Sequence, residues 1–368
     1  MAYFILWKRV ITVKDFLRRK NIVISAKRYG IDALGAMAQG LFCSLLIGTI
    51  IKTLGQQLGL DFLVDMGGFA SAMSAPAMAI AIGYALQAPP LALFSLAAVG
   101  QAANAMGGAG GPLAVLFIAI LAAEVGKAVS KETKIDILAT PAVTIFTGVV
   151  LAYLIAPPIG SLADAFGTLI NQTTMLQPFW MGIAVSVLVG VALTLPISSA
   201  AICHTLGLVG LAGGAAVAGC CAQMVGFAVM SFRENRWGGL VSQGLGTSML
   251  QMGNIVKNPR IWIPPTLASA ITGPIATCLF RLEMNGDPIN SGMGTCGLCG
   301  QLGVWTGWLA PSEIAVSKVG AAAVSPTAFH WAGLILVCFV LPAVLSWIFC
   351  ELLRRIGWIK EGDLTLPQ

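Results

Sequence analysis

Apolar residues run along this chain in blocks of roughly twenty, a length that matches the hydrocarbon core of a bilayer rather than the three-to-four spacing of a surface helix. Uninterrupted blocks fall at 33–54, 67–86, 91–106, 113–129, 135–156, 179–195, 208–232, 261–280 and 331–353. Three further stretches are apolar but broken. The run 195–207 carries Pro196 and paired serines, and 239–256 and 290–309 are interrupted by glycines. Backbone that leaves the helix at membrane depth is tolerated only where protein buries it or where it lines a cavity, so these three read as re-entrant segments. The pattern predicts an all-α, polytopic transmembrane bundle of about ten membrane segments, re-entrant hairpins included. Between the blocks stand Pro89-Pro90, the run 107–112, Pro157-Pro158 with Gly160, and Pro264-Pro265, each a loop or kink signal. The stretch 161–177 lacks Lys and Arg and is expected as an amphipathic connection on the outer face.

Composition sharpens this reading. Hydrophobic residues make up 57% of the chain, charged residues 10%, and mean hydropathy is +0.87, against the ~25% charged residues usual in soluble domains. Too little polar surface exists to wet a globule of 368 residues, which leaves lipid as the solvent. Lys8, Arg9, Lys14, Arg18, Arg19, Lys20, Lys27 and Arg28 crowd the N-terminus, and later basic residues cluster at 127–134, 233–236, 257–260 and 354–360. By the positive-inside rule these share the cytoplasmic side, with both termini. The net charge of +6 therefore reports topology and argues against a nucleic-acid partner. Residues 7–27 alternate basic with apolar positions and suit an amphipathic helix on the membrane surface. The expected organisation is a basic arm at 1–30, a transport domain at 31–353 and a cytoplasmic tail at 354–368.

Candidate chemistry gathers at the interruptions. A sugar presents hydroxyls that donate and accept at once, so its site needs carboxylate, amide, hydroxyl and imidazole groups. Ser198, Ser199, His204, Gln223, Gln251, Asn254, Glu283, Asn285, Asn290, Thr295 and Gln301 supply these. Buried ionisable groups are costly in lipid and tend to mark function, which favours His204 and Glu283. Structural helix-to-helix hydrogen bonding is the competing use of the amides. Trp305 is a candidate for stacking on a sugar ring, and Trp308 is expected at the membrane interface. Glu124 and Lys127, one turn apart near a span end, read as a snorkelling pair. Cys296 and Cys299 form a C-x-x-C with no second pair or His nearby, so packing is expected there; no metal or cofactor is indicated. Proline beside Ser or Thr recurs in 194–203 and 268–278, an echo that shared small-residue composition explains.

The runs LEMNGDPINSGMGTCGLCGQLGVW (282–305), TLPISSAAICHTLGLVGLAGGAAVAGC (194–220) and NPRIWIPPTLASAITGPIAT (258–277) resemble a branch of bacterial sugar phosphotransferase-system membrane subunits (EIIC), the branch that includes the perfringolysin-regulator-like proteins. The resemblance covers about residues 31–353. It implies a homodimer in the plasma membrane that moves sugar to a site where separate phosphocarrier subunits phosphorylate it. It also implies that a His and a Glu in the broken regions bind the sugar, here His204 and Glu283, with Glu283 beside the hydroxyl that receives phosphate and the only catalytic candidate. No phosphocarrier domain is recognisable in the chain, so no complete catalytic centre is expected. A sensor of the same fold without net transport, and an ion-coupled transporter, are the rival readings.

Overall fold

A computed structural model describes residues 13–366. Trp7, Lys8, Arg9, Val10 and Ile11 of the expected amphipathic helix lie outside the described residues. After a short α1 (Val13–Arg19) the chain enters α2 (Ala33–Leu41), which continues through a π-helical turn, Phe42–Leu46, into α3 (Ile47–Leu58). Next come α4 (Asp61–Ala72) and α5 (Ser74–Ala85), bent by 45° at Met73. Helices α6 (Pro90–Gly107), α7 (Gly111–Val129) and α8 (Asp136–Thr173) complete the first half, each packed along the other two. The second half holds α9 (Pro178–Thr194), α10 (Ser199–Leu206), α11 (Gly210–Met230), α12 (Phe232–Val241), α13 (Met252–Lys257) and α14 (Ile263–Pro274). It ends with α15 (Cys299–Leu309), α16 (Glu313–Val319), α17 (Ala328–Ile335) and α18 (Leu341–Arg355).

The fold class is the expected one. The described residues are helical, with no strand beyond a single backbone bridge between Gly210 and Met284. Among them five helical stretches, 28–56, 90–129, 136–173, 210–230 and 328–355, are long and apolar enough to cross a membrane, and the bent pair α4–α5 makes a sixth. The stretch 90–129 is two crossing segments. Gly108 adopts φ +51° and ψ −126°, which reverses the chain, and α6 and α7 then pack against each other. The breaker run at 107–112 therefore acts as its sequence suggests.

One expectation fails. Pro157-Pro158 do not end a span: α8 runs through them for 38 residues, about 57 Å at 1.5 Å per residue. The segment 161–177 is thus mostly helix and not a separate outer connection. The run is held together by close contact. A Cβ on Gly110 would sit 2.6 Å from the Ile159 carbonyl oxygen and one on Gly160 2.9 Å from that of Gly107, so the α6–α7 turn lies directly on the proline region. The missing proline N–H groups leave the Tyr153 and Leu154 carbonyls without ladder donors, and both residues lie on the exposed face of the helix.

Segments carrying the basic residues converge at one end of the bundle, as hydropathy and charge imply. Their side chains satisfy carbonyls that helix C-termini leave open. Arg28 Nη2 and Lys127 Nζ both donate to the Leu86 oxygen beyond α5, at 2.6 and 3.0 Å, and Lys20 donates to the Ser130 oxygen beyond α7. Glu124 pairs with Lys127 at 2.8 Å, but Lys127 is buried rather than snorkelling. Arg354 and Glu234 form a buried pair at 2.6 Å that joins α18 to α12.

Helices of the second half cross where glycine removes a side chain. A Cβ at Gly219 would lie 1.9 Å from the Ser186 oxygen, and one at Gly273 2.0 Å from the Gly182 oxygen, so α9 meets α11 and α14 backbone to backbone. Gly219→Ala should therefore cost about 1–3 kcal/mol, as overpacking does, and lower the unfolding midpoint in detergent by several degrees. Gly68→Ala, which meets nothing within 4 Å, should leave the midpoint unchanged or raise it slightly. Equal midpoints for the two variants would contradict the close crossing. Arg19 and Lys20 both reach Glu132, and the Lys20 hydrogen bond, with help from Arg19, holds that carboxyl below its usual range. A lowered folded-state value means the contribution is present above the ordinary carboxylate range and is lost as pH falls through the lowered value. The arm should stay protected from proteolysis at pH 5 and be released only well below pH ~4; Glu132→Gln should release it at every pH.

Candidate functional site

All three sequence interruptions are real departures from the α-helix, and they meet. The first, 195–198, turns the chain from α9 into α10, with the Ser198 hydroxyl accepting from Ala201 N as the helix cap. The second is a π-helical turn, Ser242–Gly246, followed by extended Thr247 and a 3-10 turn, Ser248–Gln251. The third is a pair of 3-10 turns, Pro288–Gly292 and Cys296–Leu298, with Gly294 at φ +54° between them.

Hydrogen bonds tie the breaks to one another. Ser199 Oγ donates to the Gly292 oxygen at 2.8 Å, joining first to third. Thr295 Oγ1 donates to the Gly244 oxygen, joining third to second. Thr194 Oγ1 and Ser248 Oγ lie 2.8 Å apart, joining the end of α9 to the second. Ser198 N donates to the Ala109 oxygen, seating the first break on the α6–α7 turn. Between them lies a cavity of about 90 Å³. Its walls are Leu41 and Leu45 beside the π-turn after α2, Pro112 at the head of α7, and residues of all three breaks: Ile197, Ser198 and Ser199; Gly246, Thr247 and Met249; Gly292, Met293 and Cys296. The cavity therefore sits between the first half of the bundle and the broken segments of the second. It is mainly apolar with a few hydroxyls, the usual make-up of a small-molecule site.

The remaining candidates fall into separate groups. Glu283 and Asn285 lie on the extended stretch that bridges to Gly210, where Leu282, Met284, Asn285 and Gly286 are buried and Glu283 is partly exposed. Asn285 Nδ2 donates to Glu283 Oε2 at 3.0 Å, while Asn285 Oδ1 is buried without a partner. His204 Nδ1 faces Asp287 Oδ1 at 3.6 Å, both side chains more than half exposed. His204 is thus paired with Asp287 and not with Glu283, and neither His204 nor Glu283 is among the walls of the cavity.

Gln223 is fully buried on α11, accepting from Trp262 Nε1 at 3.0 Å and Thr194 at 3.3 Å and donating to Thr266 at 3.2 Å. It joins helices. Gln301 Nε2 reaches Cys221 Sγ at 3.1 Å and leaves Oε1 buried and unpaired. Asn290 packs against Gly303, where a Cβ would meet it at 2.6 Å. Asn254 and Gln251 face the other way, toward the C-terminal residues: Asn254 Nδ2 donates to the Thr365 oxygen at 2.8 Å and Gln251 Nε2 to the Leu364 oxygen at 3.0 Å. Trp308 is buried, edge-on to Trp331 and His330, and not at an interface belt. Cys296 is a cavity wall and Cys299 packs beside Thr53 at 3.6 Å; both thiols are free.

Sequence reasoning missed Thr247, Met249 and Cys296 as wall residues, and Asp287 as the partner of His204. The Gly246-Thr247-Ser248 run in the middle of a glycine-broken stretch was the available signal for the first. Asp287 also caps the third break, accepting from Ile289 N at 3.0 Å.

Among family models, the one described as "Phosphotransferase system, EIIC" matches residues 31–366. Comparison with curated proteins and with solved structures finds no match.

Ser199→Ala leaves the buried Gly292 oxygen without its donor, which should cost about 1–3 kcal/mol and loosen the joint between first and third breaks. The expected readouts are a lower unfolding midpoint and faster modification of Cys296 by a small maleimide. An unchanged modification rate would mean that Ser199 does not hold the cavity closed.

Proposed function

Because the chain belongs to the EIIC family of the phosphotransferase system, the sugar-transporting membrane subunits of that system, we propose that it binds its sugar in the cavity enclosed by the three breaks and delivers it inward for phosphorylation by separate carrier subunits. The observation that carries this reading is the convergence of all three interruptions on one hollow between the two halves of the bundle. Ser198 and Thr247 present hydroxyls there, and backbone at Gly246 and Gly292 adds groups not locked in an α-helix.

At about 90 Å³ the cavity falls well below the ~300 Å³ at which ligand pockets begin. A sugar therefore requires the walls to part. The breaks suit that motion, since side-chain hydrogen bonds and not helix ladders join them. Glu283 precedes the third break by a few residues. In the proposed cycle, movement of that break brings Glu283 to the sugar, where it orients or deprotonates the hydroxyl that accepts phosphate. His204 and Asp287 travel with the same elements and are assigned to sugar recognition. The charged product has no counterpart among the cavity's hydroxyls, which favours release and makes uptake one-way. The basic end of the bundle is taken as cytoplasmic, where the carriers act, and the chain is taken to work as a homodimer.

Sugar binding to the purified protein and phosphoenolpyruvate-driven uptake into vesicles supplied with carrier proteins test the reading separately. Ser198→Ala and Thr247→Val should each weaken binding about tenfold, the loss of one or two hydrogen bonds. Glu283→Gln should keep binding within a few-fold while reducing phosphorylation-coupled uptake by at least about a hundredfold, the lower range for a general base. Wild-type binding in both cavity variants would remove the cavity from the proposal. Wild-type uptake in Glu283→Gln would remove Glu283. Sugar accumulation driven by an ion gradient without phosphate donor would replace the mechanism with a secondary transporter.

A further inference from the structure

Beyond α18 the chain does not trail away. Residues 356–366 fold back across the basic end, with Ile359 and Leu364 buried to 2% and 0% exposure. Four side-chain amides hold this strap by its backbone. Asn235 Nδ2 and Gln251 Nε2 donate to the Leu364 oxygen at 2.8 and 3.0 Å, Asn254 Nδ2 to the Thr365 oxygen at 2.8 Å, and Asn258 Nδ2 to the Trp358 oxygen at 3.0 Å. Leu366 N donates back to Asn235 Oδ1 at 2.8 Å, and the Arg260 guanidinium stacks 5.0 Å over the Trp358 ring. The strap turns at Gly357 and Gly362, at φ +81° and +90°, where no neighbour lies within 4 Å of a would-be Cβ.

The element the strap grips is the second break. Gln251 ends the 3-10 turn whose Met249, with Gly246 and Thr247 just before it, forms the cavity wall. Gln251 Nε2 also joins the Gln243 oxygen at 2.8 Å, inside the same break, and the Gln251 oxygen accepts from Asn254 at 2.8 Å; Gln243 in turn donates to Ser231 Oγ at 2.8 Å, which ties this group to the end of α11. The wall residues and the strap are thus parts of one hydrogen-bonded unit, Gln243–Gln251–Asn254–strap. Leu250, between wall and grip, faces a separate apolar crevice of about 740 Å³, and Leu366 lines that same crevice. Wall and strap end therefore share a second contact surface.

We propose that residues 356–366 are a latch that holds the second break against the cavity, and that the cavity opens only when the strap swings out on its glycine turns. This rests on the functional reading above for its purpose, since a hollow too small for a sugar needs a gate only if cargo enters it. Its mechanics do not depend on the cargo. A grip by side-chain amides on main-chain carbonyls, with only two buried apolar anchors, Ile359 and Leu364, and glycines at the turns, suits a segment that docks and undocks. A segment meant only to stiffen the end would have no need of free turns.

The test uses full-length protein in proteoliposomes, with every cysteine except Cys296 replaced by serine, and reads the rate at which N-ethylmaleimide modifies Cys296 in the cavity wall. Gln251→Ala with Asn254→Ala should raise that rate about tenfold, as loss of bonds favouring the closed form requires. Asn254→Cys with Thr365→Cys, oxidised to tether the strap, should lower the rate below that of the same protein reduced, and should block sugar uptake reversibly. Equal rates in released, parent and tethered proteins would overturn the latch. If the released variant fails to fold, the oxidised and reduced forms of the tethered protein decide alone, and equal rates there overturn it. Labelling that follows the strap while no sugar is carried would leave the latch standing and remove the transport reading instead.

Discussion

In a bilayer every backbone N–H and C=O must find a partner inside the protein, and the rest of this structure depends on how the three interruptions meet that demand. Each leaves the helix where its own ladder cannot serve it, and each is repaired by the others. The Ser199 hydroxyl covers the Gly292 carbonyl, the Thr295 hydroxyl covers that of Gly244, and the Ala109 carbonyl receives the Ser198 amide. A hollow flanked by such joints follows, because broken backbone cannot pack as tightly as helix on helix. The site is thus a by-product of mutual satisfaction. Elsewhere small residues let the helices touch backbone to backbone, at Gly219 and Gly273.

Much of the fold is legible in the sequence because lipid imposes a long, uniform apolar run on each crossing segment. The three interruptions were found by glycine, proline and serine content alone, and the basic clusters do gather at one end. What composition could not show is the fate of Pro157-Pro158. The α6–α7 turn lies against residues 159–160, a contact between residues some fifty apart. The same holds for the tail, whose short apolar anchors Ile359 and Leu364 carry no periodic signal and whose partners are amides more than a hundred residues earlier.

The candidate site was legible in its parts and not in its grouping. Ser198 and Ser199 do stand at the cavity, and Thr295 binds its neighbouring break. Gln223 and Asn254 share the chemistry of a sugar ligand, but one fastens α11 to α9 and α14 and the other holds the strap. An amide in an apolar run reports only that some polar partner exists. Which partner it meets is set by chain pairing far away in sequence. For the same reason the carboxylate that His204 faces, Asp287, is not legible from the run that contains both Glu283 and Asp287.

The continuous α8 carries a consequence of its own. At about 57 Å for its 38 residues, it is nearly twice as long as the ~30 Å hydrocarbon slab is thick. Its distal turns expose Leu162 and Leu169 but also Asp164, Thr168, Asn171 and Gln172, so they suit the boundary between acyl chains and water. Such a rod either leans in the slab or carries its amphipathic end out of it. Because α8 packs on α6 and α7 along one part of its length and on α9 and α10 elsewhere, its inclination sets the relative height of the two halves. Any change in that inclination is therefore felt by both halves at once.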